Sequence, residues 1–209
     1  LDGEVDTSAP ELAGADITDK SPCTVTSSAS TKQHGTNVAS ILVARDYGIV
    51  PQAKLLTYRI TLTSAGDTSE SDCRGELSLS KDDISSLLNT AMNDGAMIIS
   101  LSLAGSSNSD SLKWAMARAL SQGVIITAGA GNDAKEQTFG SFGHWSGVVG
   151  VSAIGTDGNR QDYSSWGEGV VSAAIGGPIT VRDLETNQNK EAFGTSYATP
   201  LVAGSLALA

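Results

Sequence analysis

Three apolar runs constrain this chain more than any other feature. Residues 96–103 (AMIISLSL), 124–128 (VIITA) and 147–154 (GVVGVSAI) are almost continuously hydrophobic. A half-exposed strand would alternate apolar and polar side chains. Continuous runs of this length suit strands covered on both faces, which is the habit of parallel sheets. Between them lie segments with helical spacing. In 80–94, Ile84, Leu87, Leu88, Ala91 and Met92 share one face, Ser80 with Asp83 suits a capping start, and Gly95 stops the pattern. Residues 110–121 form a second helical segment ended by Gly123, and 195–209 a last one.

The remaining segments extend this alternation. Residues 1–5 read as the end of a strand entering a turn, and 10–17 as a short irregular or helical piece. The Ser/Thr-rich stretch 18–33 reads as a surface loop, followed by a helix over 34–44 that opens at His34. Strands are expected at 54–61 and 169–175, and a long polar loop at 62–79. Strand–helix alternation with buried strands predicts an α/β fold: a three-layer, doubly wound, mostly parallel β-sheet with helices on both faces. Functional groups in such sheets gather at the carboxyl ends of the strands. With no repeat, linker or low-complexity tract, 1–209 reads as one domain. Both ends read as cropped, since the chain opens at Leu1 and stops inside an apolar helical pattern.

Composition removes several function classes. Hydrophobic residues make up 40% and charged residues 17% of the 209, a globular balance rather than a disordered one. The formal net charge of −10 argues against a nucleic-acid partner, because phosphate contacts need clustered Lys and Arg. It fits a solvated acidic surface, with a mild preference for cationic substrates as the alternative. No apolar run is long enough to span a bilayer. Cys23 and Cys73 lie in polar surroundings outside any C-x-x-C pair, so a zinc or thioredoxin-like site is unsupported. A disulfide between two loops is the preferred reading, and two free thiols the alternative.

Chemistry is narrowed by scarcity. Only His34 and His144 are available for imidazole acid–base work. His144 sits in a glycine- and aromatic-rich loop (FGSFGHWSG) and reads as structural. Ser196 lies just after Gly194 at the start of a helical pattern, where a hydroxyl is exposed near the positive end of the helix dipole. Alone, it would be an ordinary helix-start serine.

Three segments together change that reading. GTSYATPLVAG (194–204) resembles the subtilase nucleophile motif, and HGTNVASILVA (34–44) resembles that family's histidine motif. Asp2-Gly3-Glu4-Val5-Asp6, followed by Pro10-Glu11-Leu12, resembles its aspartate motif. The order Asp, His, Ser is the subtilisin order, and the resemblance covers residues 2–204. It implies a serine endopeptidase that works through an acyl-enzyme. In that scheme Ser196 is the nucleophile, His34 the general base and then acid, and Asp2 the group that orients the imidazole. Thr127-Ala128-Gly129-Ala130-Gly131-Asn132 resembles the family's A-A-G-N segment. It implies that Asn132 and the Ser196 backbone N–H serve the oxyanion.

Residues 99–105 resemble the family's N-x-S-L-G segment, which implies an extended peptide paired as an added strand. The pocket for the residue before the scissile bond would lie between Ser102, Leu103 and Ala104 on one side and Ala128, Gly129 and Ala130 on the other. Tyr163-Ser164-Ser165-Trp166-Gly167 resembles a scaffold segment whose usual first residue is Phe.

Departures from the pattern bear on efficiency and preference. Glu4 stands where a glycine is usual and would raise the His34 pKa if it approached the ring. Ala9 precedes Pro10 in place of His. Ala104 replaces a glycine, which adds a methyl at the pocket entrance, and Ala174-Ile175-Gly176 replaces A-P-G. The chemistry requires no cofactor; structural calcium is a family habit, but no site is assignable. The expected partner is a peptide or protein in extended conformation, the protein a monomer, and its location secreted or extracytoplasmic. Two rival readings are a peptide ligase or macrocyclase of the same fold, and a catalytically silent binding module.

Overall fold

The computed structural model describes residues 1–21, 25–60, 68–69, 81–105, 109–137 and 141–209. Contacts group the chain into two compact units, Leu1–Met97 with Asn108–Val124, and Ile98–Ser107 with Ile125–Ala209.

In the first unit a 3-10 turn at Pro10–Leu12 precedes strand β1 (Ile17–Asp19). A two-residue strand β2 (Val25–Thr26) leads to helix α1 (Ala29–Val43). Strand β3 (Leu55–Thr57) pairs in parallel with β1, and β4 (Thr68–Ser69) pairs antiparallel with β2. Helices α2 (Lys81–Asn93) and α3 (Asp110–Ser121) complete the unit and pack on each other. The apolar face expected on α2 is buried at all five positions, Ile84, Leu87, Leu88, Ala91 and Met92. Leu112, Ala115, Met116 and Ala119 of α3 are buried as well. Arg118 ties the two helices by donating to the Asn89 and Asn93 side-chain oxygens, each at 2.7 Å. The capping role expected of Ser80 lies outside the described residues, as does most of the 62–79 loop.

One boundary differs from the sequence reading. α1 opens at Ala29, so His34 sits in the second turn and not at the helix start. The cause is local: Ser28 is the N-cap, and its hydroxyl accepts the Thr31 N–H at 3.3 Å. The first turn is Ser/Thr/Lys-rich, a composition that reads as loop although a capped helix holds it.

The second unit holds a four-stranded, all-parallel sheet in the order β5-β6-β7-β8, with β5 Ile98–Leu101, β6 Ile125–Gly129, β7 Val148–Ile154 and β8 Val170–Ile175. The three runs that opened the sequence reading are β5, β6 and β7. Leu101 pairs with Ala128, and Gly129 with Val151. A hairpin of β9 (Ile179–Arg182) and β10 (Asn189–Ala192), absent from the sequence reading, leads into helix α4 (Thr195–Ala207). Both hairpin strands are short, and β10 is largely exposed (NKEA), so they carry little hydrophobic signal. α4 packs on the parallel sheet, where its Ala198 and Val202 meet Val151 and Ala153. Small side chains permit that close approach. At Gly129, an added Cβ would come within 3.1 Å of the Thr195 hydroxyl and 3.4 Å of the Thr199 hydroxyl.

Candidate functional site

In the first unit, Asp2 is held by its backbone before its side chain acts. Its N–H donates to Tyr58 O at 3.3 Å, and its carbonyl accepts the Ile60 N–H at 2.9 Å. The side chain is buried, 7% exposed. Its Oδ1 accepts the Gly3 N–H at 2.7 Å and lies 2.8 Å from His34 Nδ1. A carboxylate can only accept, so Nδ1 carries the proton and Nε2 of the neutral ring is left with a lone pair. That is the tautomer a general base requires. Asp2 Oδ2 is buried without a hydrogen-bond partner among the described residues.

Burial of the ring disfavours the imidazolium and is the largest single influence on it. Asp2's charge and hydrogen bond together outweigh that burial, and the His34 pKa stands above the ordinary value of 6.5.

The pairing depends on close contact between the Asp2 turn and α1. A Cβ on Gly35 would lie 2.6 Å from Glu4 O and 2.7 Å from Gly3 O, and one on Gly3 would collide with the Thr31 side chain. Cross-links reinforce this contact. The Glu4 N–H donates to the Ser27 hydroxyl at 3.0 Å, and the Asp6 N–H to the Thr36 hydroxyl at 2.9 Å. The Glu4 carboxylate is engaged by Lys32 at 3.2 Å and Arg59 at 3.6 Å. The raised His34 pKa is therefore Asp2's doing, and Glu4 is not among its causes. Sequence reasoning missed Lys32 and Arg59, whose partners come from segments distant in the chain.

In the second unit, Ser196 occupies the first turn of α4. Its hydroxyl donates to Ser102 O at 3.1 Å, and the Ser102 hydroxyl donates back to Ser196 O at 2.9 Å. Pro200, inside the helix, explains the second bond. Proline lacks the N–H that would have bonded the carbonyl four residues earlier, which is Ser196 O. The freed carbonyl is taken by Ser102.

Asn132 is exposed, and its Oδ1 accepts both the Thr195 N–H at 2.9 Å and the Thr195 hydroxyl at 3.1 Å. A backbone N–H can only donate, so Oδ1 must face it. The Asn132 amide nitrogen is thereby turned away and keeps both its donors available. Thr195 in turn accepts the Gly131 N–H at 3.2 Å. Sequence reasoning gave Thr195 no role of its own, although it stands in the GTSYATPLVAG segment directly before the nucleophile candidate.

The expected pocket segments are neighbours in this unit. Leu103 O lies 3.6 Å, and Ala104 Cβ 3.2 Å, from where Cβ atoms on Gly129 and Gly131 would stand. Ser102, Ala128 and Ala130 are buried, and Ala104 is exposed. His144 ends a short 3-10 turn, Phe142–His144. Cys23 and Cys73 lie outside the described residues. Among the described residues no group of three or more His, Cys, Asp or Glu could hold a metal ion.

The Subtilase family profile matches residues 1–209. The chain belongs to the subtilase family. Subtilisin DY of Bacillus licheniformis is 30% identical over 183 residues, covering 84% of this chain and 62% of that protein. The solved structure of the prenylagaramide maturation protease PagA matches with a TM-score of 0.82 at 29% identity, covering 100% of this chain and 72% of that one. The PatG macrocyclase domain matches with a TM-score of 0.81 at 18% identity, covering 99% and 73%, a likeness of fold alone. This subtilase spans 46% to 62% of the length of the first curated relatives it matches. Its fold is the α/β, mostly parallel-sheet fold of those subtilisin-like structures.

Proposed function

We propose that this subtilase is a serine endopeptidase that hydrolyses peptide bonds through an acyl-enzyme. The observation that carries the reading is the 2.8 Å contact between His34 Nδ1 and a buried Asp2 carboxylate. It fixes the ring in the base tautomer and raises its pKa above that of free histidine.

His34 Nε2 takes the Ser196 hydroxyl proton as the oxygen attacks the carbonyl carbon, and returns it to the leaving amine. Asp2 stabilises the imidazolium formed between those steps. The Asn132 amide and the Ser196 N–H receive the oxyanion. Water then attacks the ester by the same route, releasing a carboxylate and regenerating the hydroxyl. An extended peptide lies along 102–104, with the side chain before the scissile bond between that segment and 128–130.

The chemistry calls for no cofactor. A monomer at an extracytoplasmic location belongs to the same reading. Among the described residues no helix is long and apolar enough to cross a membrane.

The test uses the full-length protein with a peptide mixture in water enriched in oxygen-18. Hydrolysis puts the heavy oxygen into each new carboxyl terminus. Cyclised or transpeptidated products without it would replace the reading with acyl transfer to an amine. Absence of any product from folded protein would favour a binding role.

A further inference from the structure

The segment read from sequence as scaffold does more than brace the sheet. Tyr163 makes three hydrogen bonds, and they reach both sides of the Asn132–Ser196 cluster. Its backbone carbonyl accepts the Ala134 N–H at 2.9 Å, two residues beyond Asn132. Its hydroxyl donates to Gly176 O at 2.8 Å and accepts the Gly194 N–H at 3.0 Å, two residues before Ser196. Gly194 N–H also points at Gly176 O, at 2.8 Å, so amide, carbonyl and phenol close a triangle. The next link lies two residues on, where Ser165 N–H donates to Gly131 O at 2.9 Å. One short segment thus grips the turn that carries Asn132 and the turn that launches α4.

The grip falls on the one residue of this helix start that has no side chain of its own, while Thr195 and Ser196 beyond it are held by Asn132 and Ser102. Gly194 is the N-cap of α4 and, as glycine, has no side chain to cap with. Glycine is also the residue with the most backbone freedom to lose. Gly194 sits at φ 152°, so its orientation rests on its neighbours. A phenylalanine at 163, the usual residue in the matching segment, would keep the ring but could not reach the amide. The hydroxyl is therefore a specific addition and not a packing necessity.

We propose that Tyr163 is a positioning residue for the oxyanion site: its hydroxyl and carbonyl together fix the spacing between the Asn132 amide and the Ser196 N–H. This rests on the hydrolase reading above. An oxyanion donor acts only when it sits at hydrogen-bond distance from where the charge develops. Loosening Gly194 moves the Ser196 N–H relative to Asn132, and the hydrogen bonds of Tyr163 go to Ala134, Gly176 and Gly194, not to the 102–104 or 128–130 segments that would bind the peptide.

The experiment is Tyr163→Phe in the full-length protein. It combines peptidase kinetics, inhibition by a peptide aldehyde whose adduct mimics the tetrahedral species, thermal unfolding, and amide exchange at Gly194. Removing a donor outright costs about 100- to 1,000-fold in kcat; displacing one is expected to cost roughly tenfold. The predicted result is a kcat lowered about tenfold with KM unchanged, aldehyde affinity weakened by a similar factor, and faster exchange at Gly194. The acid limb of the pH profile, set by His34, should not move.

Tyr163→Phe with wild-type kcat and aldehyde affinity would overturn the proposal. So would a loss confined to KM, or one that vanishes below the unfolding range. Absence of turnover in wild-type protein would overturn the hydrolase reading itself, a result distinct from an active wild type with an equally active variant.

Discussion

Replacing Gly35 by alanine separates catalysis from stability in this subtilase. The new methyl would lie 2.6 Å from Glu4 O and 2.7 Å from Gly3 O, where ordinary contact begins near 3.4 Å. The Asp2 turn must therefore retreat from α1 by about 0.8 Å. Added to the 2.8 Å between His34 Nδ1 and Asp2 Oδ1, that retreat brings the pair to about 3.6 Å, beyond hydrogen-bonding range.

Stability responds to two opposing effects. Overpacking costs about 1–3 kcal/mol, and alanine in place of glycine in a helix returns up to about 1 kcal/mol. The net loss should be about 0–3 kcal/mol, which a domain of ordinary stability survives folded. Activity should fall far more, toward the roughly 10,000-fold loss seen when a triad carboxylate stops working. Urea unfolding, kcat/KM on a peptide substrate, and the proton resonance at His34 Nδ1 measure the two effects separately. A Gly35→Ala protein with near wild-type kcat/KM would refute the claim that this contact sets the Asp2–His34 geometry.

Four other outcomes follow from the geometry of the site. The rate should rise with pH as His34 loses its proton, on a limb lying above pH 6.5, and Asp2→Asn should lower that limb as well as the rate. A raised folded-state pKa adds stability that is full below the unfolded histidine value and is lost as pH rises through the folded one. Urea midpoints across that window should therefore fall with pH in wild type and lose this component in Asp2→Asn. Asn132→Ala should lower kcat about 100- to 1,000-fold with little change in KM, read by steady-state kinetics. Ser102→Ala leaves the Ser196 carbonyl, already deprived of a helix partner by Pro200, without its donor, which should cost roughly 1–3 kcal/mol in urea unfolding.

Much of this could be read from the residues because the relevant signals are local. The runs at 96–103, 124–128 and 147–154 needed only their own hydrophobicity to announce β5, β6 and β7. The five apolar positions of α2 needed only helical spacing. What escaped the reading depends on partners far apart in sequence. The first turn of α1 looks like loop until Ser28 is seen to cap it. Sequence alone leaves open an approach of Glu4 to His34, whereas in the fold Lys32 and Arg59 engage its carboxylate. Pro200 looks disruptive until Ser102, 94 residues earlier in the chain than Ser196, takes up the carbonyl it frees. Thr195 and Tyr163 lie in segments matched as motifs, but the motifs say nothing of their tasks, since orienting Asn132 and Gly194 is a matter of distance and direction.

The most direct test of the central claim is labelling of the full-length protein with a serine-directed fluorophosphonate, followed by peptide mapping. A serine hydroxyl reacts with this reagent only when a base activates it. One adduct is expected, on Ser196, lost in His34→Ala while the fold persists by circular dichroism. No adduct on folded wild-type protein, or an adduct that survives His34→Ala undiminished, would contradict it.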